Sequence, residues 1–338
     1  MKIYLFVFLL IIGCSKKNEN VLYVYNWSDY IDETVLTDFE KEYGIKIIYD
    51  TYSSNEELLA KLQAGSGGYD VIFPSDYMVT IMAQNFLLEE LNIKSLTNLK
   101  NIDSLFLNPT YDPEQKYSIP YTSGLTGIAY RTDLVTDEID SWKIFWNAKY
   151  KNKIMLLNDM REVYAMAFKI LGYSVNDTDP IHLAEAQKLL IDQKKYLKKY
   201  ESDMSKDFLL TKEASIIQQW VGDSYQIMEQ DSNIAFVIPK EGSIKFTDNI
   251  CIPKGAKHKE NAEKFINYLL RPDIAARIIN VISYSMPNLA ALPMVNDEIK
   301  NDKNIYPDEE LIKKYEFVLD LGEYTSTMEK AWTELKSY

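Results

Sequence analysis

Short β-branched segments alternate with amphipathic segments along the first part of the chain. The apolar residues follow a period of two in the former and a helical period in the latter. Strands are expected over residues 21–26, 45–51 and 70–74, and helices over 32–43, from a capping box at 53–57 to about 64, and over 75–85. This β-α-β-α-β order predicts a parallel sheet with helices on both faces.

The middle of the chain repeats this order, which indicates a second lobe. The pattern predicts strands over 153–157, 214–220, 233–239 and 243–253, and helices over 161–171, 179–200, 261–270 and 274–282. The extended segments 118–131 and 243–253 are expected to pair and to cross between the lobes, as a hinge that permits closure. The lobes are assigned to residues 21–124 plus 247–292 and 125–246 plus 293–338.

The N-terminus has the pattern of a targeting segment. Lys2 precedes ten apolar residues, which are too few to span a bilayer, since a spanning helix needs about 20. The sequence Ile-Ile-Gly-Cys that ends at Cys14 resembles a bacterial lipobox. We therefore expect a signal peptide over 1–13, lipidation of Cys14, a polar tether over 14–20 and a protein held outside the cytoplasmic membrane, in the periplasm or at the cell surface. The alternative to a signal peptide is that these apolar residues form an ordinary buried strand and that the cysteine after them is incidental. Cys251 is expected to be a buried thiol.

Composition narrows the class of partner. The 338 residues include 50 Asp and Glu against 37 Lys and Arg, a formal net charge of −13. This charge argues against binding to nucleic acid or to anionic lipid, and it suits a cationic ligand. Because the sequence has only two histidines, neither a zinc site nor histidine-based catalysis is expected. No metal or cofactor is expected.

Aromatic and acidic residues gather where predicted strands end and helices begin, and ligands of such sheets bind at these ends. Carboxylates bind ammonium groups, and aromatic faces attract cations and pack on methylenes. A linear polyamine offers both parts. The candidate ligand-binding residues are Trp27, Ser28, Asp29, Tyr30, Ser75, Tyr77, Asp159, Glu162, Trp220, Asp223, Phe246, Asp248 and Tyr284.

Several motifs resemble those of one known family. They are Tyr25-Asn26-Trp27-Ser28-Asp29-Tyr30, Tyr117-Ser118-Ile119-Pro120-Tyr121, Arg161-Glu162-Val163, Leu269-Leu270-Arg271-Pro272-Asp273 and Met286-Pro287-Asn288-Leu289-Ala290-Ala291. In this order they resemble the spermidine/putrescine-binding proteins of ABC importers, from about residue 21 to the C-terminus. The resemblance implies an α/β, two-lobed periplasmic-binding-protein fold of type II. Each lobe would have a mixed, mostly parallel sheet flanked by helices, with the ligand cleft between the lobes.

The resemblance also implies roles for the candidate residues. Four rings would enclose the methylene stem, and Glu162 and Asp248 would pair with amines inside the cleft. Asp29, Asp159 and Asp223 would serve the other end, and the Ser and Tyr hydroxyls would accept hydrogen bonds. Spermidine-preferring members resemble one another in a Trp at the position of Phe246 and a Gln near Val318. This chain has apolar residues at both positions, so putrescine is the expected ligand, with spermidine as the alternative.

The implied protein is a monomeric solute-binding lipoprotein that delivers polyamine to a permease, and it is not an enzyme. The sequence has no Gly-x-Ser-x-Gly nucleophile elbow. The 25 tyrosines leave a ferric-ion or other small-cation binder of the same fold as an alternative. A surface adhesin with the same lipid anchor is a further alternative function.

Overall fold

Capping residues set the helix ends near the start of the chain. The computed structural model describes residues 20–65, 68–308 and 312–338. Asp32 accepts from the backbone N–H of Thr34 at the start of helix α1 (Glu33–Tyr43), and Gly44 ends the helix at a φ of 65°. In the next helix, Ser54 Oγ accepts from the N–H of Glu57 at 3.2 Å. The predicted first helix and the predicted cap within residues 53–57 are confirmed.

The described residues form ten strands and eleven α-helices. The strands are β1 (Val21–Trp27), β2 (Lys46–Tyr52), β3 (Val71–Ile72), β4 (Ser118–Arg131), β5 (Ile154–Leu156), β6 (Leu197–Tyr200), β7 (Ile216–Trp220), β8 (Ile234–Val237), β9 (Ile244–Cys251) and β10 (Glu316–Phe317). The helices after α1 are α2 (Asn55–Gln63), α3 (Asp76–Gln84), α4 (Met160–Leu171), α5 (Pro180–Gln193), α6 (Ser205–Leu210), α7 (Val221–Gln230), α8 (Lys259–Leu269), α9 (Pro272–Ile282), α10 (Asp297–Lys300) and α11 (Thr325–Ser337).

Two parallel groups of strands lie on either side of a central antiparallel pair. The strand order is β2-β1-β3-β9-β4-β7-β5-β6. Strand β1 runs parallel to β2 and β3, and β5 runs parallel to β6 and β7. The predicted β-α-β-α-β arrangement is therefore confirmed, and the carboxyl ends within each group lie on one edge.

The central pair connects the two groups. The first half of β4 pairs with β9 in antiparallel register, from Ser118 opposite Cys251 to Leu125 opposite Lys245. The second half of β4, from Thr126 onward, pairs with β7 and β8. One continuous strand thus passes from one group to the other, as predicted for segment 118–131.

The predicted helix over 179–200 is wrong in its last third. Helix α5 ends at Gln193, and β6 follows after one turn. Leu197 and Tyr200 pair with the edge of β5, and the Tyr200 ring meets Trp332 of α11 edge-on at 4.9 Å. Pairing and packing therefore override the helical pattern of this lysine-rich segment.

Buried apolar clusters support both sides, and the cluster beside β1 also contains Met155 of β5 and Ile217 of β7. Phe39, Phe265 and Ile278 pack in the core beside β1, and Phe168 and Leu190 pack in the core beside β5. Cys251 is buried, as predicted. The predicted signal peptide, Cys14 and the tether up to residue 19 lie outside the described residues, and the lobe boundaries stay predictions. Within the described residues, no helix has the length and apolarity needed to cross a membrane.

Candidate functional site

A cleft lies where the carboxyl ends of the two parallel groups face each other. It encloses about 840 Å³, including space open to solvent. Trp27, Tyr52 and Trp220 are the last residues of β1, β2 and β7, and Asp159 follows β5. All thirteen residues predicted from the sequence line this cleft. The structure therefore brings the whole predicted set together.

Asp248 of β9 is a buried carboxylate held by hydroxyl groups. Ser75 Oγ donates to its Oδ1 at 2.6 Å, and Tyr30 Oη donates to its Oδ2 at 2.6 Å. The Tyr30 hydroxyl also lies 2.5 Å from Thr122 Oγ1. Burial raises the pKa of Asp248 to about 6, although the two hydroxyl donors lower it. Neither of these two hydrogen-bond partners of the Asp248 carboxylate is a cation.

Ser75 serves the site instead of capping its helix. It lies at the N-cap position of α3, yet its side chain makes no capping hydrogen bond, because its hydroxyl donates to Asp248. Asn55 Nδ2 donates to Ser75 Oγ at 3.0 Å, and Ser75 N donates to Asn55 Oδ1 at 3.2 Å. Asn55 therefore positions the hydroxyl that orients Asp248.

Glu162 is a second buried carboxylate, on the first turn of α4. Its Oε1 accepts from Thr126 Oγ1 at 2.9 Å and from Trp220 Nε1 at 3.0 Å. Its Oε2 is buried and has no donor among the described residues. Burial raises the pKa of Glu162, and the charge of Asp159 raises it further. Oε2 is thus an acceptor without a donor on the wall of the cleft.

Aromatic rings form the apolar part of the cleft. Trp27 is fixed by its Nε1, which donates to Phe73 O at 2.8 Å. The rings of Trp27 and Trp220 meet at a centroid distance of 6.4 Å, and those of Phe246 and Tyr284 at 6.2 Å. The four predicted rings therefore form two contacting pairs on the walls of the cleft.

Two glycines make room for these rings. A Cβ on Gly222 would lie 2.1 Å from ring carbons of Tyr284, and a Cβ on Gly124 would lie 2.6 Å from Phe246 Cζ. Neither distance is possible between carbon atoms that are not bonded to each other. Only glycine at these positions allows Tyr284 and Phe246 to occupy their observed places.

The cleft also contains cations that the sequence analysis missed. Lys206 Nζ lies 2.8 Å from Asp29 Oδ2 and 3.1 Å from Asp223 Oδ1. The Arg161 guanidinium donates to Leu319 O at 2.9 Å and to Asn176 Oδ1 at 3.1 Å. Asp29 and Asp223, predicted to face a ligand amine, therefore already contact an ammonium group of the chain.

Further lining residues were absent from the predicted set: Tyr52, Ser53, Asn55, Asp76, Arg161, Ser202, Asp203, Lys206, Ile244 and Val318. Tyr52 follows the same rule as the predicted residues, because it is the last residue of β2. Its position at a strand end was a signal that could have identified it.

The two histidines lie away from this cleft, each beside a carboxylate. His258 Nδ1 is 2.9 Å from Asp70 Oδ2, and His182 Nδ1 is 2.9 Å from Asp177 Oδ2. Over residues 20–65, 68–308 and 312–338, no group of three or more His, Cys, Asp and Glu is arranged to hold a metal ion.

Residues 34–307 match the family model of bacterial extracellular solute-binding proteins. The chain belongs to this family. It is a family of solute-binding proteins and not of enzymes, which agrees with the family and class inferred from the sequence.

Curated relatives within this family cover nearly the whole chain. The spermidine/putrescine-binding periplasmic protein of Escherichia coli (strain K12) is 39% identical over 322 residues, which are 95% of this chain and 92% of that protein. The putrescine-binding periplasmic protein PotF of the same strain is 32% identical over 348 residues, 96% of this chain and 94% of that protein. The resemblance predicted from the motifs is confirmed.

Solved structures share the fold. A putative spermidine/putrescine ABC transporter from Listeria monocytogenes superposes with a TM-score of 0.90 at 36% identity, over 94% of this chain and 99% of that one. The Tp0655 lipoprotein of Treponema pallidum superposes with a TM-score of 0.83 at 30% identity, over 93% and 99%. The predicted two-lobed α/β binding-protein fold is confirmed.

Proposed function

We propose that this chain captures a polyamine outside the cytoplasm, as a monomer, and delivers it to the permease of an ABC importer. The observation that carries the proposal is the unpartnered Oε2 of Glu162, buried on the wall of an acidic and aromatic cleft. A buried acceptor without a donor costs about 1–3 kcal/mol, and more when it is charged. A ligand ammonium group would supply the missing donor.

The charge of the cleft supports a cationic ligand. Among the described lining residues, seven carboxylates outnumber two cations; the carboxylates are Asp29, Asp76, Asp159, Glu162, Asp203, Asp223 and Asp248, and the cations are Arg161 and Lys206. An ammonium group has three donors and forms charge-assisted hydrogen bonds with carboxylates. Glu162 and Asp248 are the proposed receptors of the ligand amines.

The rings support an aliphatic stem between those amines. Trp27, Trp220, Phe246 and Tyr284 line the same cleft as the two receptors. Their faces pack on methylenes and attract nearby ammonium groups, with about 0.5–2 kcal/mol for each cation–π contact. The E. coli relatives, a spermidine/putrescine-binding protein and a putrescine-binding protein, point to the same ligand class.

The proposed location rests on the sequence and on the relatives. The E. coli relative is a periplasmic protein, and the family consists of bacterial extracellular solute-binding proteins. The lipobox-like sequence before Cys14 supports a lipid anchor on that residue, with a membrane tether over 14–20. The soluble lobes would then stay near the permease that they serve.

A thermal-shift screen tests the proposed ligand class. The purified protein is heated with putrescine, cadaverine, spermidine, spermine or lysine. A ligand that binds only the folded state must raise Tm, by an amount equivalent to about 2.7 kcal/mol at 100 times Kd. The control is 1,4-butanediol, which has the length of putrescine without its charges. Equal shifts with the diol, or none with any polyamine, would refute the proposal.

Affinity is expected to fall as pH falls. A bound ammonium favours the ionised carboxylates, so the pKa values of Asp248 and Glu162 should be lower in the complex than in the free protein. Binding then releases protons, and affinity weakens as pH falls through the free-state pKa of about 6 at Asp248, by up to about tenfold per pH unit for each proton. The raised pKa of Glu162 extends this dependence toward higher pH.

Calorimetric titration with putrescine between pH 5.5 and 8.5 measures this effect. Two buffers of different ionisation enthalpy at one pH give the number of protons released. An alkyl ammonium with a pKa near that of lysine, about 10.4, stays charged over this range. Affinity that is flat with pH, without proton release, would contradict the assignment of both carboxylates.

A further inference from the structure

An ammonium group of the chain itself occupies one margin of the cleft. Lys206 of α6 has a side chain that is only 14% exposed, and its Nζ contacts Asp29 Oδ2 and Asp223 Oδ1. The Asp29 side chain is 68% exposed, so this cluster lies at the solvent side of the cleft. Glu162 and Asp248 are buried further inside.

The donors of this ammonium are fully used. Besides the two carboxylates, Nζ lies 3.2 Å from Gln226 Oε1. Three N–H donors thus meet three oxygen acceptors, which is the full capacity of a lysine. Gln226 is itself fixed, because its Nε2 donates to Ile282 O at 3.1 Å. The cluster is therefore a built site that holds one ammonium group.

The cluster also connects the two sides of the cleft. Asp29 follows β1 in the first parallel group, whereas Lys206 and Asp223 lie on α6 and α7, next to β7. Asp29 adopts a positive φ of 52°, a conformation that Asp tolerates better than most residues. Its carboxylate thereby reaches across to Lys206.

Four of the seven carboxylates that line the cleft thus fall into two classes. Asp29 and Asp223 already contact a cation, whereas Glu162 keeps an acceptor without a donor and Asp248 accepts from neutral hydroxyls. A diamine has one ammonium for each carboxylate of the second class. An additional ligand ammonium at the margin of the cleft would be repelled by the positive charge of Lys206.

We propose that Lys206 is a specificity-determining residue, which takes the place of a third ligand ammonium and so favours diamines over triamines. This inference rests on the proposed polyamine function. Without Lys206, Asp29 and Asp223 become free to bind the extra ammonium of a longer polyamine. The lysine therefore sets the length of ligand that the cleft accepts.

The test compares putrescine and spermidine by calorimetric titration in the wild type and in Lys206→Met. We expect the preference to move toward spermidine by about tenfold or more, the value of one charged hydrogen bond. Lys206→Arg, which keeps the charge, should retain the wild-type preference. Lys240→Met is the matched control, since Lys240 pairs with Asp140 at 2.9 Å outside the cleft.

Each outcome has a distinct meaning. An equal loss of affinity for both amines in a folded Lys206→Met protein would mean that Lys206 only connects the two sides of the cleft. This result would overturn the specificity role. An unchanged ratio would overturn it as well, as would a wild type that binds spermidine ten times more tightly than putrescine. A wild type that binds neither amine would refute the polyamine function itself. If Lys206→Met does not fold, Lys206→Gln gives the same comparison.

Discussion

The double substitution Glu162→Gln with Asp248→Asn is expected to weaken putrescine binding by about 3–6 kcal/mol, or two to four orders of magnitude in Kd. Each amide is nearly isosteric with its acid, so the shape of the cleft stays the same while both receptor charges are removed. Each single substitution should cost about half, 1.5–3 kcal/mol. Calorimetric titration of the four proteins measures the effects and their coupling.

The control for this experiment removes the same charge elsewhere. Glu114→Gln with Asp308→Asn also removes two negative charges, from exposed carboxylates that pair with Lys116 and Lys303. If long-range attraction by the acidic protein caused the affinity, the control would lose as much as the site variant. Wild-type affinity in a folded Glu162→Gln, Asp248→Asn protein would remove both carboxylates from the proposed site.

The strand-end rule explains why so much of the cleft was predictable. Trp27 and Trp220 end strands in different parallel groups, and both meet at the cleft because the carboxyl ends within each group share one edge. Phe246, Asp248 and Tyr284 do not follow from that rule alone. Asp248 lies within an antiparallel strand, and its role as a partner of a ligand amine came from the family resemblance.

Three of the residues that sequence reasoning missed share one cause. Segment 197–200 was read as the end of a helix, although it forms β6 parallel to β5. Had β6 been recognised, Ser202, Asp203 and Lys206 would have followed the carboxyl end of a parallel strand, as the other candidates do. The pairing partner of β6 lies more than 40 residues earlier, so local periodicity could not reveal it.

Asn55 and Gly222 were missed for a different reason. Each is an ordinary residue at a helix start, and its role appears only when a distant side chain comes into contact with it. Asn55 orients Ser75, 20 residues away, and Gly222 lies under the ring of Tyr284. A single sequence gives no signal for such long-range contacts.

Gly222→Ala is expected to destabilise the protein by about 1–3 kcal/mol and to weaken polyamine binding about tenfold. The new Cβ would lie 2.1 Å from Tyr284 ring carbons, so the ring must move. Tyr284 is only 2% exposed, and Tyr30 and Phe246 enclose it at centroid distances of 5.0 and 6.2 Å. Denaturant unfolding and calorimetric titration measure the two effects.

A double-mutant cycle identifies the clash as the cause. In a Tyr284→Leu background the ring is absent, so Gly222→Ala should cost much less stability than in the wild type. The same cost in both backgrounds would mean that the alanine acts on the backbone of α7 instead. Undiminished stability and affinity in Gly222→Ala alone would mean that Tyr284 can leave its place freely. The ring would then not be a fixed wall of the cleft, and Tyr284 would not take part in ligand selection.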